Sequence, residues 1–86
     1  MRDNYIKIPI RILEDKELTS TAKILYGRLK LLSHKDGYCY ASNSHLASLL
    51  NVSNRTITRL IKQLELFGYI KLVYCDSYKR KIFIEI

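Results

Sequence analysis

The sequence predicts a small α+β domain, with helices first and a β-hairpin last. Three observations carry that expectation. Apolar residues recur at i, i+3, i+4 and i+7 in two stretches, 22–32 and 57–67; the period changes to two after Gly68; and Gly and Pro together number only four, which leaves little chain for loops. At 86 residues, 48% of them apolar and 27% charged, the chain is one globular domain rather than a disordered tail. A chain of this size buries only ~60–65% of its unfolded surface. It has no side chains to spare around a deep pocket, so an enzyme is not expected.

The segment Tyr5-Ile6-Lys7-Ile8-Pro9 alternates and is rich in β-formers. Pro9 prevents pairing inside a sheet, so this segment reads as an extended arm, followed by a short helical turn through Ile10, Ile12 and Leu13. Thr19-Ser20-Thr21 offers a hydroxyl N-cap. The helix that follows runs to about Ser33, with Ala22, Leu25, Tyr26, Leu29 and Leu32 on its core stripe. Ile24 and Leu31 fall on a second apolar strip that needs cover from the arm or from a second subunit. Lys35-Asp36-Gly37 turns the chain into a brief extended stretch, Tyr38-Cys39-Tyr40.

Ser42 or Asn43 caps the next helix, Ser44 to Leu50, with Leu46, Ala47, Leu49 and Leu50 inside. Asn51-Val52-Ser53 breaks it, and Ser53 caps a longer helix whose stripe is Ile57, Leu60, Ile61, Leu64 and Phe67. Gly68 suits the left-handed residue that ends it. Then Ile70, Leu72 and Tyr74 alternate inward with Lys71, Val73 and Cys75, and Ile82, Ile84 and Ile86 alternate with Lys81, Phe83 and Glu85. Residues 75–80 read as the connection of a hairpin. The chain stops at Ile86 inside an apolar strand, which reads as a piece of a longer protein or as a very compact whole.

Two short helices joined by a few residues make a helix-turn-helix, whose second helix enters the DNA major groove. The demands of that packing are met here. Ala47 is small where the second helix crosses the first. Asn51, four residues on, tolerates positive φ. Val52 plugs the turn, and Ile57 and Leu60 close the pair. Any one of these is ordinary in a plain helical hairpin; together, and followed by Gly68 and two strands, they point to the motif.

The run Leu46-Ala47 … Leu50-Asn51-Val52-Ser53-Asn54-Arg55-Thr56-Ile57, with Leu64 and Gly68-Tyr69-Ile70, resembles the winged helix-turn-helix family. Leu18-Thr19-Ser20-Thr21-Ala22-Lys23 … Leu25-Tyr26, Gly37-Tyr38 and Ala41-Ser42-Asn43 are similar to the N-terminal domains of plasmid and phage replication initiators. The resemblance implies a three-helix core plus a C-terminal hairpin wing. The expected organisation is a single domain over 1–86, with the arm and short helix in 1–17 and the winged-helix core in 18–86. The wing departs from the family in one respect, since Asp76-Ser77-Tyr78 lacks the glycine common at wing tips.

Fifteen Lys and Arg against eight Asp and Glu leave a net charge of +7, which puts phosphate-bearing partners first and anionic membrane surfaces second. The excess is spread along the chain, so motif and periodicity must locate the contact surface. On the longer helix, Asn54, Arg55, Thr56, Thr58, Arg59, Lys62 and Gln63 lie opposite the apolar stripe. Arginine reads guanine and asparagine reads adenine through paired hydrogen bonds, so Asn54, Arg55 and Arg59 are the base-reading candidates. Thr56 and Thr58 would meet phosphate or a thymine methyl, and Lys62 the backbone. Ser53, at the helix start, presents its positive end to a phosphate. Tyr78, Lys79, Arg80 and Lys81 would lie along the neighbouring backbone, and Ser42 and Ser44 would reach a phosphate. The plain alternatives are a solvated helix face and lysines that guard a strand edge.

Other chemistry finds no support. His34, Cys39 and His45 are irregularly spaced and lack a fourth metal ligand. No phosphate-cradling glycine loop or nucleophile–base pair is present, so neither cofactor nor small-molecule substrate is expected. Seven tyrosines suggest base stacking, but Tyr26 and Tyr74 read as inward, and Tyr5, Tyr40, Tyr69 and Tyr78 as core or rim. Cys39 and Cys75 are too few for a disulfide framework; the expectation is two reduced thiols in the cytoplasm, with one disulfide between them as the alternative. The first residues lack a signal-peptide core, and no apolar run reaches the ~18–20 residues of a membrane span.

The reading is therefore sequence-specific binding of double-stranded DNA by the head of a replication initiator. The alternatives are a transcriptional repressor and, from a different class, a winged-helix docking module. A homodimer is left open, with Tyr5, Ile6, Ile8, Ile24 and Leu31 as its surface.

Overall fold

The computed structural model describes residues 6–75 and 79–85. Its elements run α1 (Ile10–Leu13), α2 (Ser20–Leu32), α3 (Asn43–Leu50), α4 (Asn54–Leu66), β1 (Ile70–Tyr74) and β2 (Arg80–Ile84). Helices α2, α3 and α4 pack around one core, and the hairpin closes its open end: the winged helix-turn-helix architecture. Tyr5, Tyr78 and Ile86 lie outside the described residues.

Each main helix starts on a hydroxyl. Thr19 accepts from the Ala22 N–H, Ser42 from that of His45 and Ser53 from that of Thr56, each at 3.1 Å. The α3 cap is thus Ser42, and the helix begins at Asn43, one residue earlier than expected. Helix α2 ends where the buried Ser33 turns its hydroxyl back to the Leu29 carbonyl at 2.7 Å. Helices α3 and α4 end alike. Asn51 (φ 58°, ψ 46°) and Gly68 (φ 80°) turn left-handed. The following N–H then returns to a carbonyl five residues back, Val52 to Ala47 and Tyr69 to Leu64, both at 3.0 Å. The expected geometry at Asn51 is present.

The core is built from the expected stripes: Ala22, Leu25, Tyr26 and Leu29 of α2, Leu46 and Ala47 of α3, and Ile57, Leu60, Ile61 and Leu64 of α4. Leu32, Leu50 and Phe67 pack half-buried at its rim; Leu49 is also half-buried rather than inside. In α1 only Ile12 is buried.

Strands β1 and β2 are antiparallel, with Leu72 opposite Ile82 and Tyr74 opposite Arg80. Cys39 adds a third edge through reciprocal backbone bonds with Ile82 at 2.9 and 2.8 Å. Two expectations change. The connection is shorter than 75–80 because Arg80 is already paired, and Tyr74 does not point inward but is 66% exposed. Alternation predicts burial only where a helix lies beneath the strand. Ile70 and Ile82 are buried over the core, whereas Tyr74 borders the open cleft before α3, where no side chain closes over it.

The arm covers the second strip on α2 only in part. Ile6 lies directly on Gly27, where an added Cβ would come within 2.6 Å of the Ile6 Cδ1. The arm therefore covers the helix at its one side-chain-free position. Ile24 and Leu31 remain 46% and 41% exposed.

Candidate nucleic-acid interface

Burial of one stripe of α4 leaves the opposite face outward. Asn54, Arg55, Thr58, Arg59 and Lys62 are exposed, as their periodicity required. Arg55, Arg59 and Lys62 follow one another up that face, and among the described residues none of the three side chains forms a hydrogen bond or ion pair. Thr56 and Gln63 differ from expectation: both are half-buried, and the Gln63 amide faces the Glu17 carbonyl at 3.4 Å. The α1–α2 turn packs on that side of the helix, which periodicity cannot register.

At the start of α4, polar side chains tie the two helices of the motif together. The Asn54 Nδ2 donates to the Ser44 Oγ at 3.1 Å, and the Asn43 Nδ2 donates to the Thr58 Oγ1 at 3.1 Å. Thr58 in turn donates to the Asn54 carbonyl at 3.0 Å. Ser44, Asn54 and Thr58, all read from sequence as DNA contacts, are thus also the clamp that sets the angle of α4. Asn43 completes the clamp. From the sequence it reads only as an alternative cap, because a pairing across 15 positions leaves no periodic trace. Ser53 and Thr56 are occupied with each other at 3.0 Å, in addition to the cap bond.

The basic run of the hairpin divides into three roles. Lys79 precedes the strand and is exposed. Arg80 reaches across to donate from its Nη2 to the Ala41 carbonyl at 3.0 Å. Lys81 places its ammonium 4.7 Å from the centre of the Tyr38 ring. Tyr38 also packs against Phe83 and Tyr40, with ring centres 5.6 and 6.1 Å away. Structure therefore brings the wing root and the start of α3 together through side chains that a charge count treats as equivalent. Tyr78 lies outside the described residues.

A second polar link sits away from this face. The Tyr69 hydroxyl donates to the Asp15 carboxylate. That bond, reinforced by the Glu17 N–H, holds Asp15 below its ordinary value of 3.8 and pushes Tyr69 above 10.0. Cys39 is buried, which raises its thiol pKa, while Cys75 is exposed; both are free thiols rather than a disulfide. His34 and His45 are exposed, and among the described residues no three His, Cys, Asp or Glu side chains gather as a metal site. No described helix is long and apolar enough to cross a membrane.

A solved structure described as the N-terminal domain of a DNA binding protein superposes with a TM-score of 0.71 at 25% identity, covering 95% of this chain and 74% of the other. No curated protein matches the chain. The family model for a helix-turn-helix domain matches residues 16–70, from the turn before α2 to the first residue of β1. The clamped helix pair, the left-handed Asn51 and the caps at Ser42 and Ser53 all fall within that match, and the chain belongs to the helix-turn-helix domain family.

Proposed function

We propose that this domain binds double-stranded DNA sequence-specifically, with the start of α4 in the major groove and the hairpin along the neighbouring backbone. The observation that carries it is the row Arg55, Arg59 and Lys62, whose side chains have no partner among the described residues, on a face of α4 with no acidic residue before Glu65. A row of unpaired cations repels itself, and a line of phosphates or guanine edges relieves that repulsion. The likeness to a domain of a DNA binding protein supports the same reading.

The role that fits best is the DNA-binding head of a plasmid or phage replication initiator, because residues 18–26 and 37–43 resemble that group. If two copies act together, they would read half-sites about one helical turn apart, ~34–36 Å, with the exposed Ile24 and Leu31 at hand for the contact. A cytoplasmic setting agrees with this role.

Selection of bound duplexes from a random pool tests the proposal. An enriched sequence bound in a salt-dependent manner is the expected result, and a repeated site would favour the initiator role over a repressor. Equal, salt-insensitive recovery of all duplexes would leave α4 without a DNA role and turn the reading to a protein-docking module.

A further inference from the structure

We infer that the cleft between the hairpin root and the start of α3 holds one unpaired nucleotide of DNA, its base against Tyr40 and Tyr74 and its phosphate against Lys79. The inference rests on the DNA-binding reading and adds a second site to it. The cleft has a volume of about 690 Å³, and these three residues line it together with Ser42, Arg80 and Lys81.

Its aromatic character is costly to the isolated protein. Tyr40 is 68% exposed and Tyr74 66% exposed, although each ring could bury a large apolar area. They come from separate parts of the chain, the stretch before α3 and the end of β1, yet they line the same opening. Tyr40 is also supported from behind: its ring leans on Tyr38, which leans on Phe83 and carries the Lys81 ammonium. A ring braced in this way loses little entropy when something stacks on it.

The electrostatics select the ligand. Three cationic side chains line the cleft, and no carboxylate does among the described residues. The start of α3 adds the positive end of a helix at Ser42. An anion bearing a flat π-surface satisfies both features, and a nucleotide is that combination. Duplex DNA offers only base edges in its grooves, because the base faces are stacked inside. Exposed tyrosine rings therefore match an unpaired base. A strand leaving the end of a duplex, or one opened within it, supplies such a base.

The test uses the selected duplex in two forms, blunt and with a short oligothymidine extension on one strand or the other, read by fluorescence anisotropy at fixed salt. The extension of one polarity should tighten binding by about 5- to 150-fold for each stacked base. The double variant Tyr40→Ala/Tyr74→Ala should lose that gain while keeping its affinity for the blunt duplex. Tyr40→Phe/Tyr74→Phe should retain the gain. Both rings are exposed, and a thermal melt checks that the variants remain folded. An extension that changes nothing overturns the inference, as does an alanine pair that weakens blunt and extended duplexes equally; the DNA-binding reading survives either result. A wild-type domain that binds neither form overturns both.

Discussion

Arg80 on the hairpin donates to the backbone carbonyl of Ala41, 39 positions earlier, at 3.0 Å. This bond joins the wing to the residue just before the α3 cap, linking the hairpin to the helix pair. Arg80→Ala should lower stability by up to about 3 kcal/mol, the range for a hydrogen bond to a charged group. Arg80→Lys should restore the charge but not the stability, since an ammonium lacks the planar fork. Urea midpoints and the salt slope of DNA binding read the two effects separately. A lower slope with unchanged stability would make Arg80 a phosphate contact instead.

Arg55 and Arg59 should behave differently from Lys79. Replacing a base-reading arginine by alanine should cost about 1–3 kcal/mol on the selected site and flatten the preference at one base position. Lys79→Ala should weaken selected and random duplexes alike and reduce the salt slope by about one. Titrations of both duplexes across salt concentrations check this. Equal losses on all duplexes for the arginine variants would confine α4 to the backbone.

Asn51 holds φ 58° between the two helices of the motif. Asn51→Val should destabilise the domain by about 1–3 kcal/mol, because a β-branched residue is strained there. Asn51→Gly should leave the midpoint unchanged or slightly higher. Thermal or urea melts of the two variants decide the matter. A harmless valine would mean that the turn relaxes without cost.

The Asp15–Tyr69 hydrogen bond makes stability depend on pH at both extremes. Asp15 has a lowered pKa in the folded state. Its contribution is therefore complete above the unfolded value and is lost as pH falls through the folded one. Tyr69 has a raised pKa, so its contribution is complete below about pH 10 and is lost as pH rises through the folded value. Tyr69→Phe should flatten both arms of the profile while leaving α4 and its exposed face in place. Urea midpoints from acid to alkaline pH provide the measurement, and a variant as pH-sensitive as the wild type would remove this bond from the account.

Local rules made much of the molecule legible in its sequence. The α4 stripe, the hydroxyl cap within Thr19-Ser20-Thr21, the cap at Ser53 and the left-handed Asn51 depend on neighbours within five positions, where spacing and chemistry suffice. The exposed face of α4 follows from the same spacing, so Arg55, Arg59 and Lys62 could be placed without coordinates. Only the tertiary structure decided what those neighbours could not. It assigned Asn54 and Thr58 to an interhelical clamp with Ser44 and Asn43, and it split Lys79, Arg80 and Lys81 among solvent, the Ala41 carbonyl and the Tyr38 ring. It also turned Tyr74 outward. Period-two alternation says which face of a strand a residue occupies, but whether that face is dry depends on how far the helices beneath it extend. Tyr40, expected in the core or at its rim, is likewise exposed, because burial of Cys39 in the Tyr38-Cys39-Tyr40 stretch sets both tyrosines on the opposite side. That they would meet Tyr74 and three cations there required the hairpin to fold back over the start of α3, a contact between segments more than thirty positions apart in the sequence.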